Sequence, residues 1–251
     1  SKFVLNYFQV KEPEYLNNVK VQLRNIEYNK NVCVKEDTSV IEAMNYMQSK
    51  GATALPIVNQ NNELSGFVTL KEIATLFMNG VKEKINTSYK NLLNSLNGSE
   101  VLRFDDEIVG NVLIGSYQSQ TLFDEIKLTN EHILIVGDRY KVLNYAIDSK
   151  VKLIVLTGNH ELDHELLEKA KKNHVNVIST PLNTFNTGNA ITLSNYVKTI
   201  VVNTTPVTVN NTDYRTEFID LANKIGHTNY PIINKKKECL GLIKVTDVDK
   251  Y

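Results

Sequence analysis

The chain has 251 residues, 42% of them hydrophobic, and its 28 basic residues balance 28 acidic ones. This length and apolar content suffice for one large or two modest folded domains. The balanced charge excludes a global field that would attract nucleic acid or an anionic membrane, so any anion site has to be local. No apolar run approaches the roughly 20 residues of a membrane helix. We therefore expect neither nucleic acid nor a membrane among the partners.

The cysteines and histidines give little support to a disulfide framework or a metal site. Cys33 and Cys239 are the only cysteines, and neither stands in a CxxC motif or beside clustered histidines. His160 and His164 lie four residues apart, but Asp163 is a candidate helix N-cap, which places His160 before the helix. We expect no metal here and a reduced, cytoplasmic compartment. Because no methionine opens the chain, we also expect it to be part of a longer protein.

The main feature of the sequence is an internal repeat. Residues 32–73 align with residues 207–248 at a constant offset of 175 positions, without a gap and with ten identities. The best-matched stretch, GATALPIVNQNNELSG at 51–66 against GHTNYPIINKKKECLG at 226–241, keeps both glycines, the proline, a threonine, an asparagine and a glutamate. Two copies of one unit can bury a shared face and leave a cleft between them.

Hydrophobic periodicity predicts the same element order, β-α-β-β-α, in both copies. In the first copy we predict strands over 32–34, 56–58 and 64–69 and helices over 40–49 and 70–78, with Gly51 as a helix C-cap. In the second copy the matching strands cover 207–209, 230–233 and 239–244, and the helices cover 212–224 and begin again near Val245. Any small α+β repeat would satisfy this pattern, and that alternative stays open on the pattern alone.

About 130 residues separate the copies, too many for a loop in a compact module, so a separate domain is predicted there. We divide the chain into 1–79, 80–199 and 200–251. Residues 82–96 have the pattern of a linker helix. Strands over 132–136, 152–156 and 175–178 alternate with helices over 139–149, 163–173 and 185–193. This alternation predicts a largely parallel sheet with helices packed against it.

The repeat resembles the CBS motif, which pairs into a module that commonly binds adenine nucleotides. The resemblance rests on two features that recur in both copies. One is a small-polar turn ending in proline (Pro56, Pro231), and the other is the motif Gly-apolar-apolar-(Thr/Ser)-x-x-Asp, at Gly66 to Glu72 and at Gly241 to Asp247. It implies an α/β (α+β) fold in which two CBS motifs form one module with a domain inserted between them.

The inserted segment resembles the DRTGG domain over about residues 105–199. Gly137-Asp138-Arg139, Thr157-Gly158-Asn159 and the stretch 180–185 carry this resemblance, although Asn159 stands where a second glycine is usual. The first two turns follow strands, where open sheets place ligands. Asp138, Arg139 and Thr157 are thus candidates for a small enzyme site. The alternative is that Asp138 and Arg139 brace a helix or a subunit contact.

Physical chemistry indicates how such a module would hold a nucleotide. A carboxylate at the first turn of a helix can accept hydrogen bonds from a ribose diol, while hydroxyls and backbone N–H groups at the same terminus attract phosphate. Asp247 fits this role better than Glu72, which replaces the family aspartate. Thr69 carries the hydroxyl in the first copy, whereas Lys244 stands there in the second and could pair with phosphate. Tyr230 either stacks on the base or packs in the core.

The resemblance implies a larger set of nucleotide-contacting positions, contributed by the turns before the middle strands and by the strand-to-helix junctions. The set is Lys35, Thr53, Ala54, Leu55, Pro56, Thr69, Lys71, Glu72, Thr205, Val207, Thr228, Asn229, Tyr230, Pro231, Lys244, Thr246 and Asp247.

A CBS pair split by a DRTGG domain resembles the regulatory region of nucleotide-regulated family II inorganic pyrophosphatases. The resemblance implies a homodimer attached to catalytic domains of the same polypeptide, which would use manganese or cobalt. It implies inhibition by AMP and ADP and activation by diadenosine polyphosphates such as diadenosine tetraphosphate. It places no catalytic residue and no metal in this chain. A nucleotide sensor of a transporter, kinase or transcription factor is the alternative.

Overall fold

The structure is a computed structural model that describes residues 2–10, 20–78, 80–115, 126–201 and 205–248. The helices are α1 Lys2–Tyr7, α2 Val40–Lys50, α3 Leu70–Met78, α4 Tyr89–Leu96, α5 Tyr140–Asp148, α6 His164–Lys172, α7 Thr184–Leu193, α8 Arg215–Ile225 and α9 Val245–Val248. The strands are β1 Asn29–Lys30, β2 Val34–Lys35, β3 Ala54–Val58, β4 Leu64–Thr69, β5 Lys84–Ser88, β6 Ser99–Leu102, β7 Glu107–Ile114, β8 His132–Val136, β9 Leu153–Leu156, β10 Asn176–Ser179, β11 Val209–Asn210, β12 Asn229–Ile233 and β13 Cys239–Lys244.

The residues between the repeats form a six-stranded sheet in the order β5-β7-β8-β9-β10-β6. The four central strands, β7 to β10, pair in parallel, and the two edge strands pair antiparallel. Helices α5 and α6 bury one face of this sheet, and α4 and α7 bury the other. The largely parallel sheet predicted from the β-α alternation is confirmed.

The predicted linker helix over 82–96 is wrong in its first half. Residues Lys84–Ser88 form edge strand β5, and only Tyr89–Leu96 are helical. Ile85 and Thr87 are fully buried and alternate with side chains that are exposed or half-buried, a two-residue period typical of a strand. Ser88 ends the strand and caps the helix, because its side chain accepts the Asn91 backbone N–H. Strands β6 and β7 were not predicted.

The two copies of the repeat form separate small sheets, β2-β3-β4 and β1-β13-β12-β11. They meet at an antiparallel bridge between Glu63 and Glu238, two residues that the repeat alignment makes equivalent. On either side, Cys239 N–H donates to the Asn62 carbonyl at 2.9 Å and Leu64 N–H donates to the Lys237 carbonyl at 3.3 Å. These paired bonds place a local pseudo-two-fold axis between the copies.

Each copy is completed by the chain segment that precedes the other copy. Val40 N–H donates to the Asn195 carbonyl at 2.9 Å, and in the second copy Arg215 N–H donates to the Val21 carbonyl at 2.9 Å. The same exchange occurs in the cores: Val197 is buried with the first copy, whereas Leu23 and Ile26 are buried with the second. Neither copy has a complete core without the other's entry segment.

Consequently, the cores do not follow the chain divisions proposed at 79/80 and 199/200. Asn29–Lys30 pairs with β13 of the second copy, although it precedes the first repeat. Val201 packs against the core of the first copy, although it leads into the second repeat. Residue 79 lies outside the described residues, and the domain boundaries stay predictions.

One glycine marks where the two copies differ. Gly241 on β13 has φ +143°, and a Cβ at this position would lie 2.2 Å from the Asn29 carbonyl oxygen of β1. Its counterpart Gly66 on β4 faces the Val201 side chain, whose Cγ1 would lie 2.9 Å from such a Cβ. The β1 backbone cannot move aside as the Val201 side chain can. Only glycine therefore fits at position 241, opposite β1.

We expect Gly241→Ala to destabilise the CBS module by about 2 to 4 kcal/mol, through backbone strain and displacement of β1. Gly66→Ala is the matched control and should cost about 1 kcal/mol, because only a side chain has to yield. Thermal unfolding followed by circular dichroism measures both. Equal melting temperatures for the two variants would show that β1 does not constrain Gly241.

Candidate functional site

A cavity of about 690 Å³ lies between the two copies of the repeat. Its wall combines residues of both copies with the segment that enters β11. The lining residues are Thr53, Ala54, Phe67, Thr69, Glu72, Thr205, Pro206, Val207, Gly226, His227, Thr228, Asn229 and Pro231. The cleft predicted between two duplicated units is therefore present.

Strand alternation decides which residues of the proline turns reach this cavity. On β12, Asn229 and Pro231 line the cavity, while Tyr230 and Ile232 are fully buried in the core of the second copy. On β3, Ala54 lines the cavity and Leu55 is buried in the first core. Successive side chains of a strand point to opposite faces, so Asn229 and Pro231 line the cavity while Tyr230, which lies between them, is buried in the core.

The strand-to-helix junction of the first copy presents a carboxylate to the cavity. Glu72 Oε2 accepts the Thr69 backbone N–H at 2.8 Å and also the Thr69 hydroxyl. Burial acts to raise the pKa of Glu72, but the hydrogen bonds from Thr69, a further backbone hydrogen bond and the charge of Lys71 together lower it. Glu72 is therefore held ionised at the entrance to α3, where the helix N-terminus also favours a negative charge.

The junction of the second copy has the same local bond but does not line the cavity. Asp247 Oδ2 accepts the Lys244 backbone N–H at 2.9 Å, at the entrance to α9. Lys244 and Asp247 are half-buried, and Thr246 is exposed. The sequence favoured Asp247 over Glu72 as the ribose contact, whereas the cavity described here contains Glu72. Both acidic residues cap their helices, and only one of them also faces this space.

The cavity brings together part of the predicted set: Thr53, Ala54, Thr69, Glu72, Thr205, Val207, Thr228, Asn229 and Pro231. The remaining predicted residues lie outside its wall: Lys35, Leu55, Pro56, Lys71, Tyr230, Lys244, Thr246 and Asp247. Whether any of these residues contacts a nucleotide stays a prediction.

Two of these residues have structural roles. Lys35 Nζ donates to the Asn59 carbonyl at 2.9 Å and to Asn62 Oδ1 at 2.8 Å, and so holds the turn between β3 and β4. The Tyr230 ring makes an edge contact with Phe218, with centroids 5.2 Å apart, and is 0% exposed. Of the two roles that the sequence left open for Tyr230, the structure shows core packing.

Sequence reasoning missed four residues of the cavity wall: Phe67, Pro206, Gly226 and His227. Phe67 was identifiable, because it lies two positions before Thr69 on β4 and must share its face. Pro206 stands between two predicted residues and belongs to a segment without a repeat signal. Gly226 and His227 directly precede Thr228 in the turn before β12, and this adjacency was the signal that could have identified them.

The chemistry of the wall suits a ligand with a flat apolar part and several hydroxyls. Ala54, Phe67, Val207 and Pro231 provide apolar surface, and threonine hydroxyls with the Glu72 carboxylate provide polar contacts. Asn229 Nδ2 lies 3.4 Å from Thr53 Oγ1, a contact across the two copies. Within the described residues, no lysine or arginine lines the cavity. Hydroxyl and backbone N–H groups would therefore have to meet any phosphate.

The turns of the central domain lie at neighbouring strand ends, after β8 and β9. Arg139 Nη1 donates to the Gly115 carbonyl at 2.6 Å, which ties the start of α5 to the end of β7. Gly158 N–H and Asn159 N–H donate to the Leu182 and Thr180 carbonyls, both at 2.9 Å. These contacts agree with the bracing role that the sequence analysis set against an enzyme site.

No His, Cys, Asp and Glu cluster of three or more members is arranged for a metal ion in the part of the chain that the structure describes. His164 is the first residue of α6 and His160 precedes the Asp163 N-cap, as expected.

Among the described helices, none combines the length and apolar character needed to cross a bilayer.

Family models match two parts of the chain. The DRTGG domain model covers residues 91–194, and the CBS domain model covers residues 23–79. The mixed α/β fold thus contains a CBS and a DRTGG domain.

Two relatives and one solved structure resemble the chain over most of its length. A cobalt-dependent inorganic pyrophosphatase of Clostridium perfringens is 28% identical over 97% of this chain and 45% of its own length. A probable manganese-dependent inorganic pyrophosphatase of Thermotoga maritima is 24% identical over 77% of this chain and 36% of its own length. The chain thus spans less than half of either relative.

The solved structure comprises the CBS and DRTGG domains of the regulatory region of the Clostridium perfringens pyrophosphatase, in complex with its activator diadenosine tetraphosphate. It is 26% identical to this chain, with a TM-score of 0.81, and the match covers 90% of this chain and all of that one. The chain is therefore homologous, in its CBS and DRTGG domains, to the regulatory region of the cobalt- and manganese-dependent family II inorganic pyrophosphatases.

Proposed function

We propose that this chain is the nucleotide-sensing regulatory region of a cytoplasmic inorganic pyrophosphatase, and that adenine nucleotides bind in the cavity between its CBS copies. The observation that carries the proposal is the cavity itself, which has apolar walls and a carboxylate fixed at a helix entrance. The relative whose regulatory region binds diadenosine tetraphosphate has the same overall fold. Manganese or cobalt would be held by catalytic domains elsewhere in the polypeptide.

In this proposal the adenine lies between the apolar side chains of the two copies, and the ribose faces α3. Glu72 Oε2 is engaged by Thr69, but a carboxylate has further acceptor capacity on its second oxygen for a ribose hydroxyl. Thr205 lines the same space, and its hydroxyl can donate to a phosphate oxygen. AMP, ADP and one half of diadenosine tetraphosphate share these groups, so one pocket can take all three.

Regulation would arise from a homodimer. A two-headed ligand such as diadenosine tetraphosphate can occupy adenosine sites of two chains, with its phosphates bridging the interface. AMP or ADP fills a site without this bridge. A ligand shifts a conformational equilibrium only by its difference in affinity for the two states. In this proposal the bridged dimer favours the active state of the catalytic domains and the unbridged dimer favours the inactive state. Diadenosine tetraphosphate then activates, and AMP and ADP inhibit.

Glu72→Gln should weaken AMP binding about 10-fold or more, since it removes a charge-assisted hydrogen bond to the ribose. Asp247→Asn is the matched control, because it removes a charge at the same position of the other copy while keeping an acceptor for the helix entrance. Its affinity should stay within about threefold of the parent. Isothermal titration calorimetry at fixed salt measures both variants. Equal losses, or a loss confined to Asp247→Asn, would contradict the assignment of Glu72.

The two ligands should differ in stoichiometry. We expect one AMP per chain and one diadenosine tetraphosphate per two chains, because each head of the longer ligand fills one adenosine site. Calorimetry gives the ratio, and light scattering on the same samples gives the mass of the complex. Diadenosine tetraphosphate bound at one molecule per chain would rule out the bridged dimer.

The longer polypeptide should hydrolyse pyrophosphate with manganese or cobalt, slower with AMP or ADP and faster with diadenosine tetraphosphate. Phosphate release at saturating pyrophosphate tests this. A rate that responds to none of these nucleotides, despite calorimetric binding, would assign the chain to a sensor of another kind.

A further inference from the structure

The two cysteines, distant in sequence, meet in the fold. Cys33 lies between β1 and β2, and Cys239 is the first residue of β13. Lys30 of β1 is paired with Gly241, and Asn31 N–H donates to the Leu240 carbonyl at 2.9 Å. Because of this pairing, the residues that follow β1 lie next to the start of β13. The pairing places Cys33 beside the start of β13, near enough to Cys239 for each thiol to shift the pKa of the other, and both cysteines are free.

The two thiols have unequal surroundings. Cys239 is 9% exposed, and Cys33 is half-buried and within reach of solvent. The hydrogen bond with Cys239 lowers the pKa of Cys33 against the opposing effect of burial, and the positive charge of Lys35 lowers it further. The same hydrogen bond and burial raise the pKa of Cys239. Cys33 is thus the more accessible and more readily ionised thiol, and it should react first with small reagents. Cys239 is buried next to it.

We propose that Cys33 and Cys239 form a reversible intrachain disulfide with a low-molecular-weight disulfide as oxidant. The Cys33 thiolate attacks one sulfur of the small disulfide, which breaks its S–S bond and releases a small thiolate. Cys239 then loses its proton to solvent and attacks Cys33 Sγ, which releases the second small thiolate. The protein gives up two electrons, and the small disulfide becomes two thiols.

This disulfide would join the two copies of the repeat. Cys239 N–H already bonds to the Asn62 carbonyl of the first copy, and Cys33 leads directly into β2 of that copy. The link also closes a chain loop that contains the whole central domain, which restricts the unfolded chain. Oxidation should therefore raise the melting temperature of the module, and a reductant should restore the original value.

The test uses the full chain, incubated with oxidised glutathione at pH 8 and then quenched with acid. We expect both thiols to be lost, a mass lower by two hydrogens, and a non-reducing digest that contains one peptide pair joining Cys33 to Cys239. Dithiothreitol should return both thiols. Intact mass spectrometry, thiol titration under denaturing conditions and peptide mapping provide the readouts.

Cys33→Ser and Cys239→Ser serve as single-thiol controls. Cys33→Ser should react slowly, because its remaining thiol is buried, whereas Cys239→Ser should stop at a glutathione mixed disulfide. The proposal is overturned if the parent chain retains two thiols, carries stable glutathione on either cysteine, or forms a disulfide between chains on a non-reducing gel.

Discussion

The exchange of entry segments between the two copies is the constraint on which the rest of the structure depends. Val197 enters the core of the first copy, and Leu23 and Ile26 enter the core of the second. The backbone N–H groups of Val40 and Arg215 donate hydrogen bonds to carbonyls of the exchanged segments, those of Asn195 and Val21. Because each core needs the other copy's segment, the two halves fold as one body. The cavity between them is a consequence of that arrangement.

A symmetric sequence nevertheless yields two unequal junctions. Glu72 and Asp247 both accept a backbone N–H three residues earlier and cap their helices, so helix capping explains an acidic residue in each copy without a ligand. The neighbouring strands then break the symmetry. Strand β1 covers the edge of β13 and requires Gly241, while Gly66 on β4 faces only a valine side chain. Glu72 remains in the wall of the cavity.

The central domain is joined to the CBS module through the same exchanged segment. The Asn195 side chain accepts the Asn86 backbone N–H at 2.8 Å, and the Ser194 carbonyl accepts the Thr87 hydroxyl. Edge strand β5 therefore binds the residues that immediately precede Val197 in the chain. Asn91 also donates to the Asp37 carbonyl at 3.3 Å. A rearrangement of the CBS copies would thus displace groups bonded to the central sheet, which gives the proposed regulation a physical connection.

The sequence by itself determined the repeat, the element order of each copy and the parallel centre of the inserted sheet, because these depend on local periodicity and on turn residues. It also placed Thr69, Glu72 and Thr228 near one cleft. Only the tertiary structure decided that Glu72 rather than Asp247 lines the described cavity, that Tyr230 packs against Phe218, that residues 84–88 form a strand and that the two thiols meet. Each of these depends on contacts between segments far apart in the chain, whose partners no local pattern specifies.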